Sequence, residues 1–245
     1  MNPPQKTAVD LAEFRKFSVP LCQAHKLFNK VFGIGANRTG STSLSGVFSV
    51  LGLNVAPQAD GELTSAALSK GKFESLKAYV EKYDAFQDVP FAIKSTYAQV
   101  DALFPDSRFI LTVRDPEQWF ASFLQHHQKS LDVTPARRKP GLADFTKNNY
   151  LFAGYRQFKF ETDWILDVGD DLKLARDWNL AFDKDRFIAS YNRRNAEIVR
   201  HFSERPDDLL VIDIAGETNT EKIVEFLKLP RTLITNMPHL NKGTD

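Results

Sequence analysis

A single cysteine, Cys22, excludes an intramolecular disulfide and any cysteine-rich zinc cluster, and it fits a reducing compartment. No apolar run approaches the roughly 20 residues needed to cross a bilayer. The first residues, MNPPQKTAVDLAEFRKF, lack the hydrophobic stretch of a signal peptide, so a soluble cytoplasmic protein without a membrane partner is expected. Neither sign of charge is in excess: 32 Lys and Arg against 31 Asp and Glu leave a net charge of +1. Such a balance gives no basic field for nucleic acid, so any anion site must be local. Repeats, low-complexity tracts and Gly/Ser linkers are missing too. The 245 residues are therefore expected to form one domain, 1–245, large enough to bury a core without disulfide or metal.

What is present begins at Lys30. In KVFGIGANRTGSTSLSGVFSVL, Val31, Phe32 and Ile34 form an apolar run suited to the middle of a parallel sheet, and Leu44, Val47, Phe48 and Leu51 recur at helical spacing. Between them lies Gly35-Ala36-Asn37-Arg38-Thr39-Gly40-Ser41-Thr42, whose glycines permit a tight turn and whose N–H groups face any anion at the helix N-terminus. The nucleoside-triphosphate loop GxxxxGK[ST] requires lysine where this chain has Ser41. Arg38 supplies the charge instead, as a planar fork for two oxygens of one group, which points to a donor other than ATP or GTP.

Residues 1–29 read as an N-terminal arm, with a helix over Val9–Phe17 broken at Pro20. Gly52 to Val55 reads as a helix stop and an extended segment, and Glu62–Tyr83 as a helix interrupted at Lys70-Gly71-Lys72. A short strand should end near Asp88, because Pro90 holds Val89 extended. A helix over Thr96–Leu103 precedes the clearest strand, Arg108–Val113, apolar on both faces. Arg114 follows it, then Asp115 as N-cap, Pro116 at the first helical position and Gln118 three residues past the cap. Arg38 and Arg114 both stand beyond the carboxyl ends of strands, where open α/β sheets bind ligands. Residues 126–180 read as a lid or acceptor region holding His126 and His127 on a solvated helix end, the basic group Arg137-Arg138-Lys139, and the aromatics Tyr150, Phe152, Tyr155, Phe158, Phe160 and Trp164. A helix over Asp183–Phe202 should bury Phe187, Ile188, Tyr191, Ala196, Ile198 and Val199. A buried strand, Leu209–Ile214, and a helix over Glu221–Leu227 follow it. The fold class is α/β, a three-layer doubly wound parallel sheet with a P-loop-like strand-loop-helix nucleotide site.

These motifs, in this order, resemble the sulfotransferase superfamily, whose sulfuryl donor is 3'-phosphoadenosine 5'-phosphosulfate. Arg38-Thr39-Gly40-Ser41-Thr42, with Ser43 beside it, stands where that family binds the 5'-phosphosulfate. Arg114 and Ser122, eight positions apart, match its 3'-phosphate site. Asp88-Val89-Pro90, Ile110–Asp115 and Pro238-His239-Leu240-Asn241 are similar to the bacterial and lower-eukaryotic branch. The resemblance places Asp88 where cytosolic members carry a catalytic histidine, Tyr191 near the adenine, and Lys242 in a loop closing on the 3'-phosphate. It implies transfer to the hydroxyl of a small-molecule acceptor, Asp88 taking the proton and Arg38 holding the leaving phosphate, with no metal. Two alternatives stay open, a P-loop kinase or nucleotide-hydrolysing enzyme and a non-catalytic nucleotide-binding homologue. The sequence leaves the acceptor and the oligomeric state unspecified.

Overall fold

A computed structural model describes residues 11–147, 149–165, 177–238 and 240. Its sheet has four parallel strands, β1 (Val31–Gly33), β2 (Ala85–Phe86), β3 (Arg108–Thr112) and β4 (Leu209–Ile212), in the order β2-β1-β3-β4. Side chains alternate across a strand, and here the alternation splits the core in two. Val31, Ala85, Ile110 and Ile212 face one side, where they meet α1 (Leu11–His25), α2 (Ser41–Val50) and α10 (Glu221–Phe226). Phe32, Phe86, Phe109 and Leu111 face the other, against α4 (Glu74–Val80), α5 (Thr96–Leu103) and α9 (Lys184–His201). Phe32 is the hub of that layer, with ring centroids 5.0 Å from Phe86, 4.9 Å from Phe91 and 5.4 Å from Phe109. The chain is thus α/β, a parallel sheet covered by helices on both faces.

From β1 the chain moves to β2 on one side, then returns to β3 on the other. The two central strands therefore diverge at their carboxyl ends into a crevice, the place where such sheets bind ligands. After β1, Gly35 passes so close to β3 that a Cβ there would lie 2.0 Å from Thr112 Oγ1 and 2.4 Å from its carbonyl oxygen. After β3, α6 (Pro116–Ser130) starts as the sequence predicts, with Asp115 accepting the Gln118 N–H at 3.0 Å. A third cluster, built on Trp119, Phe123, Phe145, Phe160, Phe182 and Phe187, supports the crevice from outside the sheet. It joins α6 to α7 (Leu142–Lys147), α8 (Tyr155–Phe160) and α9.

The helix over Thr96–Leu103 and the interruption between α3 (Gln58–Leu68) and α4 agree with the sequence reading, Gly71 taking φ 75° at the break. Other expectations are corrected. Pro20 lies inside α1, where packing prevails over propensity: the next turn puts Cys22 into the core, and a Cβ on Gly52 would lie 2.6 Å from Val19 Cα. The last strand ends at Ile212 rather than Ile214. It is the sheet edge, with Val211 46% exposed. On α9, Ala196 and Val199 face solvent, and the buried side is Phe187, Tyr191 and Ile198.

Replacing Gly35 by alanine forces backbone apart at the centre of the sheet. Urea unfolding of Gly35→Ala should show a loss of about 3 kcal/mol, the upper end for overpacking a filled site.

Candidate active site

The loop after β1 is shaped by two left-handed residues, Arg38 at φ 70° and Gly40 at φ 98°, which turn the chain into α2 without a side-chain cap. The helix N-terminus therefore faces the crevice without a side-chain cap, the arrangement that attracts anions. Thr39 points inward and braces the loop. Its hydroxyl donates to the Ala36 carbonyl at 2.5 Å and lies 2.6 Å from Thr112 Oγ1. Ser41 and Ser43 are buried, while Thr42 is exposed. Ser43 Oγ accepts the Leu240 N–H at 3.0 Å, so it anchors the C-terminal segment.

Arg38 Nε donates to Ser122 Oγ at 3.2 Å, bringing together residues assigned to two different phosphate sites. Burial, and then the charge of Arg114, lower the Arg38 pKa. Arg114 Nε is buried without a hydrogen-bond partner, and among the described residues no carboxylate forms an ion pair with either arginine. Two like charges so held favour the approach of an anion. Tyr191 fixes the Arg114 backbone, accepting its N–H at 3.0 Å and donating to its carbonyl at 3.1 Å. The Tyr191 ring stacks on Trp119 at 4.3 Å, and Trp119 Nε1 donates to the Asn37 carbonyl at 3.0 Å. One aromatic pair thereby ties both arginine-bearing loops together.

Across the crevice Asp88 follows β2 with φ 62°, a strained conformation that short acidic residues tolerate. Its Oδ1 is buried without a partner. Burial pushes its pKa up; Lys159 opposes and Glu62 adds to the rise. Asp88 shares a cavity with Ala36, Asn37, Asp163, Tyr191 and Asn195. Asn37, Asp163 and Trp164 also line a neighbouring cavity of about 240 Å³ that reaches Glu62, His127 and Lys159. Asp163 sits in a π-helical turn, Glu161–Ile165, that continues α8, a geometry often found at functional sites. Burial, with the charge of Asp88 adding, raises its pKa to about 7 against the pull of Lys159.

A loop at a helix N-terminus, a second arginine and a buried carboxylate thus surround one crevice. The family model described as "Sulfotransferase domain" matches residues 30–245. The chain belongs to the sulfotransferase family. No curated protein matches it.

Within this sulfotransferase the crevice gathers Arg38, Arg114 and Ser122 at one end and Asp88 at the other, and places Tyr191 between α9 and Trp119. Lys242 and Asn241 lie outside the described residues, as does His239. His126 is exposed, as expected. His127 departs from the solvated helix end: its Nε2 is buried without a partner, and its ring packs 4.6 Å from Phe123 and 5.4 Å from Phe160. Burial, then His126, holds its pKa well below the usual value, so it is a neutral imidazole. Arg138 is committed to Asp144 through two bonds of 2.7 and 2.6 Å, which removes it from the basic group offered to an acidic acceptor.

Sequence reasoning missed Glu62, Lys159 and Asp163, which sit on α3, α8 and the π-helical turn with no spacing to mark them. It also missed Arg194, which donates to the carbonyls of Ile34 at 2.9 Å, Phe91 at 3.0 Å and Lys94 at 3.2 Å, clamping the end of β1 to the loop after Asp88. Nothing in the sequence set Arg194 apart from Arg193 beside it.

Ionising Asp163 disfavours the folded state, because its folded pKa of about 7 exceeds the ordinary 3.8. Its contribution is full below the ordinary value and lost as pH rises through 7. Asp88 acts in the same direction. Unfolding midpoints of the ligand-free protein should fall across that window, and Asp163→Asn should flatten the fall; an equal slope in the variant would refute the assignment.

Proposed function

We propose that this chain transfers a sulfuryl group from 3'-phosphoadenosine 5'-phosphosulfate to a hydroxyl of a small-molecule acceptor. The observation that carries the reading is the pair Arg38 and Arg114, adjacent, half-buried and without a carboxylate partner among the described residues. A nucleotide with phosphate at both ends of its ribose supplies two anionic groups, one for each arginine. The loop fits it: Arg38, the amides of Thr39 to Ser43 and the N-terminus of α2 would hold the 5' side, and Arg114 with Ser122 the 3' side. Ser41 in place of a lysine disfavours a triphosphate. Tyr191 and Lys242 complete the nucleotide site in this reading.

When bound, the donor supplies an activated sulfuryl group. The chain contributes position, charge and a proton acceptor. Arg38 and the helix amides are fixed before any ligand arrives, so they stabilise charge developing on the leaving oxygen without reorganising. Asp88, with one carboxylate oxygen unpaired and its pKa raised, takes the acceptor's hydroxyl proton. The clamp through Arg194 fixes Asp88 relative to the cradle, and positioning of this kind supplies much of the rate in group transfer.

In a thermal-shift comparison, adenosine 3',5'-bisphosphate should stabilise the protein by about 2.7 kcal/mol at a hundredfold excess over its Kd, above any effect of ADP, ATP or GTP. A shift with magnesium-ATP and none with the bisphosphate would refute the reading. Arg114→Ala should abolish the preference for the bisphosphate over AMP. Asp88→Asn should retain the bisphosphate shift and lose about 10²–10⁴-fold in transfer rate, the usual contribution of a general base; unchanged transfer removes Asp88 from that role.

A further inference from the structure

Four residues that line one cavity each carry a buried oxygen without a hydrogen-bond partner: Asn37 Oδ1, Asp88 Oδ1, Asp163 Oδ1 and Asn195 Oδ1. They come from four separate parts of the chain, namely the cradle loop, the loop after β2, the π-helical turn and α9. A buried acceptor left unpaired costs about 1–3 kcal/mol, so four in one place mark a site whose partner arrives from outside. Once both carboxyls are ionised, every one of these atoms accepts. The missing partner must therefore donate.

Charge narrows the partner further. Lys94 and Lys159 both act electrostatically on Asp163, and Lys159 stands 3.8 Å from Glu62. Two lysines thus offset the two aspartates, which disfavours a cavity built to trap a cation. Among the described residues no group of three or more His, Cys, Asp or Glu is placed to hold a metal ion. What fits is a neutral molecule with several hydroxyls. Asp88 takes one of them as the reacting group, and a neighbouring hydroxyl has Asp163 within the same cavity.

Resting on the transfer reading above, we infer that Asp163 is an acceptor-selecting residue: it receives a hydrogen bond from a second hydroxyl beside the one that is sulfated, so the acceptor is a vicinal diol or larger polyol. Burial raises the Asp163 pKa to about 7, so the residue accepts in its ionised form, above that pH. The cavity of about 240 Å³ that Asp163 also lines leaves room for the rest of a small polyol.

Matched acceptors test this. With wild-type enzyme, kcat/KM for trans-1,2-cyclohexanediol should exceed that for cyclohexanol at least tenfold, and catechol should exceed phenol likewise. Asp163→Leu should erase the preference, and Asp163→Asn, which keeps an accepting oxygen, should restore part of it. Calorimetric titration of diol and monoalcohol onto the enzyme saturated with adenosine 3',5'-bisphosphate gives a second readout independent of turnover. Equal use and equal binding of diol and monoalcohol would overturn the inference, leaving water as the partner of these oxygens. So would a preference that survives in Asp163→Leu. If diol selectivity is absent while the bisphosphate still shifts the melting temperature, only this inference fails. If the bisphosphate gives no shift, the transfer reading fails first and takes the inference with it.

Discussion

The close approach of Gly35 to Thr112 is the constraint on which the crevice depends. With no side chain at Gly35, the loop after β1 lies against the end of β3, and the Thr39–Thr112 hydroxyl contact holds it there. That proximity sets Arg38 and Arg114 side by side, although 76 residues separate them in sequence. Trp119 and Tyr191 then lock the two loops through one stacked pair and bonds to Asn37 and Arg114. The repulsion between the arginines is borne by a rigid frame, which keeps them directed at a ligand when they would otherwise separate into solvent.

Where the sequence was legible, a local rule and the global fold agreed. β3 is apolar on both faces because it is central, and α6 begins where Asp115, Pro116 and Gln118 dictate. α5 has the span its pattern implies. Legibility failed where tertiary contact overrode local preference. Pro20 should end a helix, yet packing of α1 on the sheet carries the helix through it. Val199 lies in the helical stripe by composition but outside it by angle. The segment from 126 to 180 gave only a list of histidines, basic residues and aromatics, since Phe145 and Phe160 pack with Phe182 into a cluster whose partners lie on four elements. Within the site, Arg38, Arg114, Ser122 and Asp88 were visible because each belongs to a short contiguous motif. Asp163, Glu62, Lys159 and Arg194 each stand alone in sequence, and only folding gives them neighbours.

The crevice is polarised. At one end are two arginines and the N-terminus of α2; at the other, carboxylates and amide oxygens balanced by lysines. Burial acts on both ends in opposite directions, lowering the Arg38 pKa and raising those of Asp88 and Asp163. Desolvation thus brings the two sides closer in proton affinity than free arginine and aspartate would be.

Arg194 reaches from α9 to the Ile34, Phe91 and Lys94 carbonyls, so cradle and acid loop share one crossbar. The wall contributed by 126–165 is not part of that crossbar. In mechanical terms the molecule is a rigid frame with a partly replaceable panel: Lys159 and Asp163 line the cavity apart from the crossbar, whereas Phe145 and Phe160 pack in the same cluster as Trp119 and Tyr191 and belong to the frame. Redesign of selectivity therefore has a natural boundary, on one side of which substitutions alter what is accepted and on the other whether anything is transferred.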